Sequence, residues 1–316
     1  MQRVSVSGIV AGESAGSAGM APRNQKFWFE DGNIVLQVEN VQFCVHKGVL
    51  TRHSVVLDAM ISVLRPAIGD AQVDGRPLVR LWGNAVDWVL VLGQLYDGFK
   101  QRLDSPIMQF PLVRAMIQLG YRYDFQVLKE KGLEYLSQVY PSTLAEFSSN
   151  VRAAKAAKFF TDDITIADVI NLTVSLGLKK IMPVVFLLAL HHSRYPIPAA
   201  VALRLAKGHE KLYHGMLKHA FAHIHSIRMI PTKQCLGQPC GQVRARLLAN
   251  LVAPPVQLVR AVHGSWDHAS WHSALCAPCC EFAIEQFVEG RARIWEELPT
   301  YFGLPPWEEL RNFDFS

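Results

Sequence analysis

The sequence predicts an α+β chain, a short three-stranded sheet with helical hairpins followed by a mainly α-helical C-terminal region, on three observations. From Asn33 to Val45 the apolar residues alternate with period 2: Ile34, Leu36 and Val38, then Val41, Phe43 and Val45 beyond a polar Glu39-Asn40 reversal. That is the pattern of a β-hairpin with one buried face. The period then changes at once, with Val49, Leu50, His53, Val56, Leu57 and Met60 at helical spacing through Ser54, a cap for a second short helix. Beyond Pro141 the apolar spacing is helical.

The remaining elements follow in order. Arg65 to Arg76, with one Pro, two Gly and two Asp, reads as a loop before a third strand, Pro77 to Trp82. Asn84 caps a helix from Ala85 to Tyr96 with Val86, Val89, Leu90, Leu92 and Leu95 on its apolar face. Asp104-Ser105-Pro106 opens a helix from Ile107 to Gly120, with Gly120 as its stop, and Asp124 caps Phe125 to Val139. In the second half, Thr161 to Asp163 caps Ile164 to Leu178, Pro183 starts an apolar helix, and Tyr195-Pro196-Ile197-Pro198 forces an extended turn before Ala199 to Ala206. Helices are expected from Gly208 to Ile230, Val243 to Val252 and Glu281 to Leu298. Phe302, Leu304, Trp307, Leu310 and Phe313 then lie on a proline-stiffened tail expected to clamp the helical region from outside. Nothing repeats at a fixed period, which argues against a solenoid.

At 316 residues, half of them hydrophobic and 19% charged, the chain has material for two cores and is not disordered throughout. The expected division is a leader over 1–26, a first domain over 27–140 and a helical domain over 141–316. Met1 to Gln25 is rich in Ser, Gly and Ala, and its one apolar run, Val4 to Ala11, lacks the continuity of a signal-peptide core. Ile181 to Leu190 is interrupted by Pro183 and falls far short of the roughly 20 residues a membrane span needs. Six cysteines, five of them after Lys233, do not form a secreted disulfide pattern. An intracellular protein, cytoplasmic or nuclear, is expected, neither secreted nor membrane-bound.

The net charge of +5 is unevenly spread. Asn150 to Arg260 holds 15 Lys and Arg against 4 Asp and Glu, whereas Ala261 to Ser316 holds 3 against 9. Such halves complement each other within a domain or across a dimer. A basic excess without a nucleic-acid-binding motif makes nucleic acid an unexpected partner.

The cysteines carry the most specific chemistry. Cys235-x4-Cys240 and Cys276-x2-Cys279 offer two pairs of soft ligands on turn-forming sequence, a candidate structural zinc site, with His263, His268 and His272 able to replace a cysteine. The alternative is a set of small buried hydrophobes. His209-Glu210 and His214 are spaced five apart, one too many for a metalloprotease helix; His219 and His223 have the spacing without the acid. Ser265, Asp267 and His268 are adjacent, which is not a triad geometry. No nucleophile elbow, P-loop or dinucleotide fingerprint is present, and a non-enzymatic protein is expected.

Three anchors in one register resemble the opening of a BTB/POZ domain of the fungal, basidiomycete-type branch: Asp31-x-Asn33-Ile34-x-Leu36, Phe43-x-Val45-His46-Lys47-x-Val49-Leu50, and His53-Ser54-x-x-Leu57. Leu95-Tyr96-Asp97-Gly98 and Leu112 to Leu136 are similar to later landmarks of that family, and the tail from Leu298 to Leu310 is similar to the tail of such fungal proteins. The resemblance implies a protein–protein interaction module, an adaptor or scaffold that forms homo-oligomers. It also implies a charged pocket near the dimer interface, with Asp31 and Lys47 in its positions and His46 at the helix-start histidine. It permits a substrate-adaptor role on a cullin-type ubiquitin ligase through Ala85 to Tyr96, whose acid is Asp87, or a chromatin-associated scaffold using the basic region.

Overall fold

The computed structural model describes residues 21–64, 71–98, 109–152, 166–190, 197, 199–225, 230–237, 239–252 and 274–315. The expected helix starts at Asp104 to Pro106 and Thr161 to Asp163, the Tyr195-Pro196 turn, His263, His268, His272 and Ser265-Asp267 lie outside them. The chain divides into two compact units, 1–135 and 136–316.

The first unit is built on a mixed sheet of five strands, β1 (Arg23–Trp28), β2 (Ile34–Val38), β3 (Val41–Val45), β4 (Gln72–Val73) and β5 (Arg76–Leu81), in the order β1-β3-β2-β5-β4. The β2–β3 hairpin is antiparallel, with Ile34 opposite Val45 and Val38 opposite Val41, and β5 adds in parallel to β2. The expected sheet had three strands. The two extra ones have no legible period. In β1, the supposed end of a leader, only Phe27 is buried. Strand β1 is held mainly by backbone bonds, among them Gln42 N–H to Pro22 O and Phe29 N–H to Cys44 O. Strand β4 has two residues, joined to β5 through Asp74 and Gly75, both at positive φ, as a tight hairpin turn requires. The hairpin was expected to bury one face, but Val35 and Cys44, on the opposite face to Leu36 and Phe43, are also fully buried.

Five helices follow within and at the end of this unit: α1 (Lys47–His53), α2 (Val55–Ser62), α3 (Ala85–Asp97), α4 (Phe110–Tyr123) and α5 (Gln126–Val139). Ser54 ends α1 and caps α2, accepting from Leu57 N–H while its hydroxyl donates to Tyr123 O. Trp88 is the fully buried centre, its indole N–H donating to Trp82 O and its ring 5.2 Å from Tyr123. Gly120 does not stop α4, which runs three residues further to a left-handed Asp124. A side chain at Gly120 would meet the backbone of Lys129, so the glycine serves the close approach of α4 and α5.

Asp87 is buried beneath α3, capped onto Asn84 and paired with Arg114 at 2.8 Å. It is therefore not available as the acid of a contact surface on Ala85 to Tyr96. Asp87→Asn keeps the cap geometry but leaves Arg114 without its counter-charge. With Arg114 partly exposed, the expected loss is about 1–2 kcal/mol in urea unfolding. No measurable loss would show that the pair carries no net stability.

The second unit begins inside α5 and contains α6 (Leu144–Arg152), α7 (Ile166–Ser175), α8 (Met182–Ala189), α9 (Ala199–Lys218), α10 (Ala222–His225), α11 (Cys240–Val252) and α12 (Ala277–Tyr301). Every residue of α8 is buried, so it is the unit's centre. Gly208 was expected to begin a helix reaching Ile230; instead α9 runs unbroken through it and ends at Lys218. The reason is packing: side chains at Gly208 and Gly215 would occupy the places of the Phe302 and Tyr301 rings. The tail clamps this unit as expected. Phe302 and Leu310 are buried, and Trp307 stacks on Trp295 at 5.8 Å while donating to its carbonyl at 2.7 Å.

Candidate functional site

The four cysteines singled out by spacing converge. Cys235, Cys240, Cys276 and Cys279 place their sulfurs within 4.8 Å of one another, with Cys240, Cys276 and Cys279 buried and Cys235 partly so. Two turns and two helix starts bring them there. Cys235 closes a turn onto Thr232 O, Gly237 at φ +80° carries the chain around, and Cys240 opens α11. Cys276 is the N-cap of α12, Pro278 fits its first turn, and Cys279 lies one helical step further.

The donor set fits a tetrahedral thiolate site. Metal–sulfur bonds of about 2.3 Å give tetrahedron edges of about 3.8 Å, and Cys276 Sγ lies 3.8 Å from Cys235 Sγ. The sulfurs also receive backbone donors. Cys276 N–H points at Cys240 Sγ at 3.3 Å, and Thr232 N–H at Cys279 Sγ at 3.4 Å, with the Thr232 hydroxyl 3.7 Å away. N–H groups aimed at sulfur favour the thiolate form, as does the positive end of α12. The thiols are unequal: the Leu236 amide pulls Cys276 down to about 6, whereas burial outweighs these donors, pushing Cys240 up to about 12 and raising Cys279. Four thiolates on one ion would leave no open position for substrate, so the donor set is that of a structural site. Cys280 is outside the cluster, its thiol raised by burial. Thr232 carried no signal in the sequence, because its role appears only when Cys279 comes beside it in space.

Asp31 and His46 also meet. His46 begins α1 but makes no side-chain cap; its Nε2 faces Asp31 Oδ2 at 3.2 Å, and its Nδ1 lies 3.0 Å from Tyr96 Oη. The backbone N–H of His46 donates to the same Tyr96 oxygen at 2.8 Å. The Tyr96 oxygen thus meets both the backbone and the ring of His46, the direction of the ring bond following the tautomer. The imidazole holds the Asp31 carboxyl below its usual value, and burial raises the Tyr96 phenol. Phe29 stacks on Tyr96 at 4.8 Å, completing the cluster. Lys47 enters only through its backbone, N–H to Asn33 Oδ1 at 2.7 Å, and its side chain is in no ion pair among the described residues. The arrangement ties the start of α1 to the end of α3. Tyr96 was legible as a helix end, not as a partner for a histidine 50 residues earlier.

Among the described residues His219 and His223 are not gathered with an acid into a metal-binding group: His219 Nε2 lies 3.4 Å from Glu297 Oε1, and His223 is fully buried beside Phe221. Among the described residues no helix is long and apolar enough to cross a membrane. No protein-family model matches the chain, and no curated protein matches it either.

Proposed function

We propose that this chain is a non-enzymatic interaction protein of BTB/POZ type, whose first unit binds other protein chains and whose helical second unit is fastened by a structural zinc. The observation that carries the interaction reading is on the surface of the first unit. Trp82 is 54% exposed at the end of β5 and the Arg122 guanidinium lies over its ring, 5.3 Å from the centroid. Tyr121 and Val86 are exposed on the neighbouring helix ends. Tryptophan, tyrosine and arginine are the residue types that dominate interface energies. The sheet flanked by helix pairs supports the resemblance at the level of layout. The zinc reading rests on the four converging sulfurs and their backbone donors.

Affinity capture from the protein's own cells, with parent and Trp82→Ala run side by side, tests the interaction reading, and sedimentation of each pure protein reports self-association. The expected result is a protein partner, or a self-associated form, held at least about tenfold more weakly by the variant. Equal capture and equal association in both would overturn the assignment of this surface.

A further inference from the structure

Two helices of the second unit carry opposite stripes of charge. On α9, Arg204, Lys207, Lys211 and Lys218 are exposed, with exposed His214 among them. At roughly 100° per residue they fall within an arc of about 80°. On α12, Glu281, Glu285, Glu289 and Glu296 are exposed and fall within an arc of the same width, about 80°. At about 1.5 Å per residue the basic stripe is about 21 Å long and the acidic one about 22 Å. Glu210 borders the first stripe and Arg293 the second, and neither interrupts it.

The stripes are not spent on each other. The helices pack antiparallel, with Gly208 and Gly215 of α9 against Phe302 and Tyr301, and Gly290 of α12 against Ala220. Yet among the described residues the ion pair joining these segments is His219 to Glu297, and none of the eight Lys, Arg and Glu side chains of the stripes is in an ion pair. The surrounding sequence offers little else to answer α9, since Asn150 to Arg260 contains four acids in all.

We propose that the partner for both stripes is a second copy of this chain, the basic stripe of α9 on one copy docking on the acidic stripe of α12 on another. Equal length, equal width and opposite sign make one self-complementary contact account for all of them. A nucleic acid would suit α9 alone. It would also feel α12, because packed helices are about 8–10 Å apart, near the Debye length of about 8 Å at physiological salt. Exposed ion pairs are weak and screened, so this association is reversible and salt-dependent.

Charge exchange tests it. The full chain is examined by sedimentation equilibrium at about 50 and about 500 mM salt, as parent, as Lys207→Glu/Lys211→Glu and as Glu285→Lys/Glu289→Lys. All four positions are exposed, and circular dichroism confirms retention of the fold. The parent is expected to associate at low salt at least about tenfold more strongly than at high salt, each variant alone to lose that component, and an equimolar mixture of the two variants to regain it. A mixture that fails to regain it, or a parent whose association ignores salt, overturns the proposal. So does salt-dependent binding of a duplex oligonucleotide by the parent with no self-association. The proposal stands on the second unit alone, so its failure leaves the Trp82 experiment as the separate test of the first unit.

Discussion

Removing metal by chelation, or replacing Cys279 by serine, is expected to weaken the second unit by on the order of 4 kcal/mol, the linkage energy of a ligand present at about 1,000 times its dissociation constant. For a unit of this size that is a fall in its thermal midpoint of roughly 8–16 °C, with the first unit's transition unchanged. The cause is local. Cys235 and Cys240 hold the turn before α11, Cys276 and Cys279 hold the start of α12, and their sulfurs join the two segments. Without metal, the raised thiols Cys240 and Cys279 keep their protons at neutral pH while Cys276, near 6, does not. Metal uptake therefore displaces protons from the raised thiols, and apparent affinity is expected to fall about tenfold per displaced proton for each pH unit of acidification. Metal analysis, calorimetric scans with and without chelator, and zinc titrations at two pH values check this. Metal well below one equivalent, with an unchanged midpoint, would reduce the four cysteines to small buried hydrophobes.

Gly290→Ala is expected to cost on the order of 3 kcal/mol, although alanine is the better helix former. An added methyl at Gly290 would land on the backbone of His219 and Ala220, which cannot rotate away as a side chain can. The helices would have to separate, loosening the buried Phe221–Phe287 contact, whose rings lie 5.7 Å apart. Gly93→Ala in α3 is the matched control: its nearest neighbour would be the Lys26 ammonium at 3.9 Å, so the change should be neutral or stabilise by about 0.5–1 kcal/mol. Urea midpoints for the two variants decide the matter. If both shift alike, the glycine is not what sets the approach of α12 to the segment after α9.

Much of the first unit was legible because its signals are local. The alternation from Ile34 to Val45, the Ser54 cap and the Asn84 cap each act within a few residues, and each stands where the pattern placed it. Strand β1 was not legible, since an edge strand bonded through its backbone needs no periodic side chains. Strand β4 was not legible either: Asp74-Gly75 fell within the expected loop, and the strand this turn serves is too short to show a period. Glycines misled in a consistent way: Gly120 read as a helix stop and Gly208 as a helix start, whereas both lie inside helices as contact points for neighbouring elements, a property of tertiary packing. At the candidate sites, the cysteine spacing announced the cluster, because Cys pairs on short turns bring their sulfurs together. The Asp31–His46 contact was recoverable only as two separate positions, and Tyr96 and Thr232 had no local signature at all.

The neighbouring positions of Cys240 and Cys276 have a further consequence for how this chain can change. Their contact spans 36 residues and turns everything between them into a ring closed at its base. The entropy of closing a ring grows only logarithmically with its length, about 0.6 kcal/mol for each doubling. Lengthening or shortening such a ring changes that closure cost little. The tail offers no such freedom, since Trp307 must reach Trp295 across 12 residues of fixed path. The segment from Leu298 to Leu310 should therefore stay constant in length.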